Sequence, residues 1–252
     1  MYCYHPKGSG ILNSDKQSNH KQRGLHRDRR ILRAIEEYSC LDTEQVQALF
    51  FKDMQYGQRK AQERLLKLHR AGKLNRGRSG ESPYYYYIDK KPGMTKHLLA
   101  TNWVRIWLPT TLPSWEKIHS WNYEQDYKVL RCDGFAAIKN TMTNKFRFMF
   151  IEMDRGTNAF DKVQKYNRLY KTDKYSNWWW VSLTERFPVI RVVTVHPDRK
   201  SLIQSEIEAQ NHAGLEFNVK LLDDIRKEVM AKCSSVMNTT GQIEYVRGCK
   251  LC

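Results

Sequence analysis

The stretch FMFIEMDRGTNAFDKVQKYNRLY, Phe148 to Tyr170, decides how the second half of the chain is read. An apolar run ends in Glu152, Met153 and Asp154, followed at once by Arg155, Gly156, Thr157 and a segment with helical spacing. Thr157 is the expected cap of that helix, and Phe160, Val163, Asn167 and Tyr170 form its stripe. Residues two apart on a strand share a face, so Glu152 and Asp154 can project together from a buried strand end. Two carboxylates in that position hold either a loop or a metal.

The neighbouring segments supply a third acid. YKVLRCDGFAAIKN (127–140) and KFRFMFIEMD (145–154) are joined by the turn-sized NTMTN, which predicts an antiparallel pair. Asp133, in RCDGF, then lies on the first strand opposite Glu152 and Asp154. Three converging carboxylates suit Mg²⁺ or Mn²⁺, and an ion there activates water for phosphodiester chemistry. A cation is also wanted at such a centre. Lys162 flanks the helix stripe one turn before Tyr166 and can lean over the sheet, whereas Lys165 projects away. The plainer alternative is turn chemistry, with Asp154 holding Arg155 or a helix N-terminus and Asp133-Gly134 forming a bulge. The residues alone leave both open.

Further along, TKHLLATNWVRIWLP (95–109) reads as a helix stopped by Pro109, after a KPGM hinge at 91–94. Both NWWWVSL (177–183) and VIRVVTV (189–195) read as strands covered on two faces, and RKSLIQSEIEAQN (199–211) as a helix. Hairpin, helix, strand, strand, helix gives a mixed-sheet α/β domain.

The first half carries a different signal. The formal net charge is +16 and the sequence pI about 9.6, which calls for a polyanionic partner. Nucleic acid is the first candidate and an anionic membrane surface the second. Between Lys21 and Lys91 there are 17 Lys/Arg against 9 Asp/Glu, so half of the surplus sits there. RDRRILRAIEEYS (27–39) has Ile31, Leu32, Ile35 and Tyr38 at helical spacing. LDTEQVQALFF (41–51) offers Asp42 or Thr43 as a cap and Val46, Leu49 and Phe50 as an inner face. A third helix (55–74) turns Ala61, Leu65 and Leu68 inward and ends at Gly72. LNRGRSGESPYYYYI (74–88) reads as strand, turn, strand.

Three helices and a hairpin are the order of a winged helix-turn-helix. Its third helix presents Gln58, Arg59, Lys60, Gln62, Arg64 and Lys67 as DNA-binding candidates, and its wing Arg76 and Arg78. A protein-binding winged helix is the alternative. No apolar run of about 18 residues is present, so a membrane span is not expected. Six scattered cysteines make no disulfide framework and suggest a reducing cytoplasm. The terminal CKLC, Cys249 to Cys252, is half of a zinc pattern with no second half, and reads as two free thiols.

The order of a winged helix, HLLATNWVRIWL, DGFAAI, FIEMDRGT and KVQKY resembles the replication-relaxation proteins of Gram-positive plasmids, phages and integrative elements. The resemblance covers roughly Arg27 to Val195 and is carried most by HLLATN, E-x-D-R-G-T and K-x-x-x-Y. It implies a winged helix joined to a domain like the restriction-endonuclease core, with Asp133 and Glu152 in the two acidic positions. The lysine that usually follows two residues after the second acid is replaced here by Asp154, and Lys162 is its candidate substitute. Cys132 stands where that motif often has proline.

The expected organisation is a mobile basic arm (1–24), a winged-helix domain (25–91), a nuclease-like α/β domain (95–230) and a flexible tail (231–252), in the α/β (α+β) class. The expected function is cytoplasmic DNA binding in plasmid replication, relaxation or maintenance. Catalytic candidates are Asp133, Glu152, Asp154 and Lys162, the three acids also being metal candidates for Mg²⁺ or Mn²⁺. Expected partners are double-stranded DNA and replication proteins, with a homodimer left open. The competing expectation is a non-enzymatic regulator whose second domain dimerises or binds a partner.

Overall fold

A computed structural model describes residues 11–78, 80–172, 175–231, 236–237 and 243–244. Residues 1–10 of the expected arm, the CKLC pair and most of the expected tail lie outside the described residues. The chain divides into two compact units, Met1–Gly93 and Met94–Cys252. Both combine helices with sheet, so the protein is of mixed α/β class. Among the described residues no helix is long and apolar enough to cross a membrane.

In the first unit, helix α1 (Ile11–Glu37) is followed by β1 (Leu41–Asp42), α2 (Thr43–Phe50), α3 (Gly57–Arg70), β2 (Asn75–Gly77) and β3 (Tyr85–Tyr87). The strands form an antiparallel sheet in the order β1-β3-β2. The helix begins well inside the stretch expected as an arm. No proline interrupts Ile11–Glu37 and Gly24 is its one glycine, so nothing in the sequence stops the helix from extending backwards.

Asp42 caps α2. It accepts from the Gln45 backbone N–H at 2.8 Å, while the Gln45 side chain accepts from the Asp42 N–H at 3.1 Å. The inner face of α2 is Val46 and Ala48, with Phe51 behind them, rather than the expected Leu49 and Phe50. Phe50 is half-buried beneath the Arg30 guanidinium. Ala61, Leu65 and Leu68 of α3 are buried, as are Ile31 and Ile35 of α1, and α3 packs on α2. Gly72 terminates α3 in the left-handed region, φ +69°, with Gly72 N–H donating to His69 O and Lys73 N–H to Leu68 O.

The second unit runs α4 (Thr95–Trp107), β4 (Glu116–Tyr123), β5 (Gly134–Asn140), β6 (Phe146–Asp154), α5 (Lys162–Lys171), β7 (Val189–Thr194), α6 (Pro197–Gln210), β8 (Phe217–Leu221) and α7 (Leu222–Met230). Its five-stranded sheet has the order β4-β5-β6-β7-β8. The first three strands are an antiparallel meander, and β7 and β8 add in parallel after the α5 and α6 crossovers. Phe148, Phe150, Ile190 and Val192 face α5 and α6, joining Tyr166, Leu169 and Ile203 in one core. Helices α4 and α7 pack together on the opposite face. With cover on both sides, β6 is buried through six consecutive residues.

Three expectations fail here. NWWWVSL is no strand: it forms turns and a short 3₁₀ helix at Val181–Leu183. Trp180 turns into the core and donates its indole N–H to the Tyr127 hydroxyl at 3.0 Å, while Trp179 stays 46% exposed. A short apolar run does not reveal its conformation. Glu116–Tyr123, which the sequence assigned to no element, is β4, and the sheet gains a further strand and helix in β8 and α7. Finally, α5 starts at Lys162 with Asp161 at its cap position, so Thr157 lies in the preceding loop. Its buried stripe is Val163, Tyr166, Asn167 and Leu169, because Phe160 precedes the helix and Tyr170 turns outward to stack on Tyr175.

Candidate functional site

Strand β6 delivers Glu152 to the α5 face, since it shares that face with Phe148 and Phe150. Helix α5 brings Lys162 and Tyr166 to it from spacing i, i+4, which puts both on one side of the helix. Lys162 Nζ lies 2.6 Å from Glu152 Oε2, and the Tyr166 hydroxyl donates to Glu152 Oε1 at 2.7 Å. Lys162 also donates to the Arg131 carbonyl at 2.8 Å. A lysine in the first turn opposes the helix dipole, and Glu152 is what offsets it. Lys165 instead pairs with Asp161 at 2.5 Å, on the outside.

The Asp133 carboxylate stands at the head of β5, where Gly134 pairs with Ile151 and the Asp133 N–H donates to Ile151 O at 3.0 Å. Gly134 is required by a close approach: a Cβ there would lie 2.9 Å from Trp121 of β4. The Asp133 carboxylate accepts from the Met153 backbone N–H at 2.7 Å and lies 2.9 Å from His97 Nε2. His97 is set by α4, whose buried Asn102 accepts from the Tyr123 hydroxyl at 2.6 Å. His97, Asp133, Glu152, Lys162 and Tyr166 thus gather at one end of the sheet from α4, β6, α5 and the loop before β5.

Burial dominates the electrostatics. Glu152 is 1% exposed, and that desolvation pushes its carboxyl up to about 7 against the opposing pull of Lys162, with the Asp133 charge pushing the same way as burial. Burial alone would lower Lys162, but the Glu152 carboxylate outweighs it and the net shift is upward. The Tyr166 hydroxyl is held well above its ordinary value, by burial first and the Glu152 charge second. A buried carboxyl near neutrality beside an ammonium is a group that can exchange protons in the physiological range.

Asp154 does not join them. Its carboxylate takes a bidentate clamp from Arg199 of α6, at 2.9 and 3.0 Å, and a hydrogen bond from the Thr194 hydroxyl at 3.0 Å. Arg199 also reaches the Asn158 carbonyl. The expectation of Asp154 as a third metal ligand is therefore corrected: it ties the loop after β6 to the start of α6. The register explains this. Asp154 pairs with Thr194, two residues beyond the Glu152–Val192 pair and closer to α6. Among the described residues no group of three or more His, Cys, Asp or Glu is disposed to hold a metal ion.

In the first unit, Gln58, Arg59, Lys60, Gln62 and Lys67 are exposed on α3. Arg59 pairs with Glu63 at 2.8 Å. Arg64 departs from the expectation. It turns back to make a bidentate pair with Asp28 of α1 and donates to the Gly24 carbonyl at 3.3 Å, so it fastens α1 to α3. Arg76 and Arg78 lie over the Tyr84 ring, 4.7 and 5.4 Å from its centroid, and Arg78 also holds the Ser82 carbonyl.

Sequence reading missed His97, Tyr166 and Arg199 as site or clamp residues. The first two were visible as motif positions, in HLLATN and K-x-x-x-Y, without a role attached. Arg199 carried no local signal, because its partner lies 45 residues away. Comparison of this chain with protein-family models, curated proteins and solved structures finds no match.

Proposed function

We propose that the chain is a DNA-binding protein acting in replication, relaxation or maintenance of a plasmid or other mobile element, with a nuclease-like second unit that nicks DNA. The observation that carries this reading is Lys162 Nζ at 2.6 Å from Glu152, with Asp133 beside them. Those are the two acids and the lysine of a restriction-endonuclease type of centre, the lysine arriving from the next helix instead of from position 154. The helix, meander, helix, strand order of the second unit supports the same reading. So does the helix–strand–helix–helix–strand–strand order of the first unit for a winged helix, whose exposed α3 cations face double-stranded DNA.

The donor chemistry fits a hard divalent ion. Mg²⁺ is commonly held by about one or two carboxylates plus substrate phosphates and water, and Asp133 and Glu152 are two. Bound there, Mg²⁺ or Mn²⁺ supplies a Lewis acid and a more acidic water. The protein's own contribution is positional. Tyr166 and Lys162 fix the two oxygens of Glu152, and His97 and the Met153 N–H fix those of Asp133. Lys162 also offsets negative charge at a scissile phosphate.

A non-enzymatic regulator is the second reading, and the Asp154–Arg199 clamp favours it, since it removes one acid from the centre. Supercoiled plasmid incubated with Mg²⁺ or Mn²⁺ separates the two. Wild type is expected to produce open circles, and the Asp133→Asn/Glu152→Gln variant none. Equal survival of the plasmid with both proteins would give the site to the regulator.

A further inference from the structure

On the α4/α7 side of the large sheet a cavity of about 590 Å³ opens between Trp107, the strands β6 to β8 and α7. Its floor follows from strand alternation. Arg191 lies between Ile151 and Asn218 in the register and shares their face, and Met149 and Lys220 lie on it too. Four cations line the space: Arg147, Arg191, Lys200 and Lys220.

Two of these are neutralised. Arg147 holds Glu116 at 2.6 Å, and Lys220 holds Glu228 at 2.6 Å, where Glu228 also accepts from the Trp107 indole N–H. Arg191 and Lys200 have no carboxylate partner among the described residues. The Arg191 guanidinium stacks 5.2 Å from the Trp107 centroid and, among the described residues, donates to the neutral side-chain amide oxygen of Asn218, at 2.7 Å. Its Nε is shielded from solvent and finds no acceptor among the described residues. Burial pulls its pKa down, while Glu216 and Glu228 act on it only at longer range. Arginine does not shed its proton to escape such a site, and Arg191 is a half-buried cation with no carboxylate in contact among the described residues. A fork-shaped donor open to a polar cavity is also the arrangement that grips phosphate in two bonds.

We propose that this cavity is a binding site for a phosphate monoester dianion, gripped by Arg191 and neutralised by Arg191 and Lys200 together. Two unpaired cations match two negative charges. The remaining acids of the lining, Asp224 and Glu228, disfavour a more highly charged polyphosphate. The chemistry is shared by a free nucleoside monophosphate and by the 5′-phosphate end of a DNA strand. The site does not involve Asp133 or Glu152, so it stands apart from the nicking proposal.

The test uses the full chain at pH 8 and constant ionic strength. Inorganic phosphate replacing chloride raises the melting temperature of wild type by about 3 °C at ten times its Kd. Arg191→Met and, independently, Lys200→Gln at the rim each lose most of that shift. Any general stabilisation by phosphate exclusion remains in both variants and is subtracted. Anisotropy with 5′-phosphorylated and 5′-hydroxyl oligonucleotides then identifies the source. A several-fold preference for the phosphorylated end assigns the site to strand ends, and competition by deoxyadenosine monophosphate without that preference assigns it to free nucleotide. The proposal is overturned if wild type shows no shift, or if a folded Arg191→Met and Lys200→Gln keep all of it. Asp133→Asn/Glu152→Gln retains the shift whatever the outcome of the nicking assay.

Discussion

Arg64 and Lys162 are both helix cations that hold a carboxylate on another element, and they do opposite work. Arg64 binds Asp28 across 36 residues in the first unit and so joins two helices. Lys162 binds Glu152 across ten residues and one strand-to-helix turn, beside a second acid and a histidine. Both side chains are 23% exposed, so burial does not tell them apart. The surroundings do. Among the described residues Asp28 is the carboxylate that Arg64 pairs with, whereas Glu152 is almost wholly buried and feels Asp133 as well. A paired cation is a fastener where it completes a neutral contact, and a working group where its partner is crowded by further charge.

The largest expected effect comes from breaking the second pair. Lys162→Met leaves Glu152 buried without its cation and costs about 3 kcal/mol of stability near neutral pH, read from urea midpoints. The same change at Lys165, whose pair with Asp161 is exposed, stays within about 0.5 kcal/mol. Loss of nicking in Lys162→Met with retained fold at low pH, where Glu152 is protonated, supports a working lysine.

Arg64→Met is expected to cost about 2 kcal/mol by leaving Asp28 unpaired, while changing DNA affinity less than twofold. Arg59→Ala/Lys60→Ala is expected to do the reverse. Stability stays within about 0.5 kcal/mol, and binding weakens with the salt slope reduced by about 2. If Arg64→Met weakens DNA binding as strongly as the double variant without loss of stability, the fastener role is wrong.

The smallest effect sharpens the electrostatics. The folded-state pKa of Glu152 is raised, so folding takes up a proton between its ordinary 4.5 and about 7. Its contribution is fully present below the unfolded value and is lost as pH rises through about 7. The upward shift of Lys162 acts only above its ordinary 10.5, outside that window. Wild-type stability is therefore expected to decline between pH 5 and pH 8 more steeply than that of Glu152→Gln, measured by urea titration at each pH.

Much of this was legible beforehand. The caps and apolar spacing of α2 and α3 are local, and so is the hairpin turn, where Asn140 accepts from the Met142 and Thr143 N–H groups at 2.9 Å. Lys162 was legible for the same reason, since helical phase and strand alternation are both short-range rules. Arg64, Asp154 and the tryptophans were misread because their partners are distant. Nothing within a few residues says that Arg199 will take Asp154, or that Trp180 will turn inward to Tyr127.

By itself the sequence determined the basic charge, the class of both units, and which residues could become a carboxylate-lysine centre. Side-chain periodicity and turn chemistry encode those. Only the tertiary structure decided membership: Glu152, Asp133, His97, Lys162 and Tyr166 together, Asp154 apart and Arg64 turned inward. Membership depends on sheet register and on which crossover helix lies next to which strand end, and no local rule contains either.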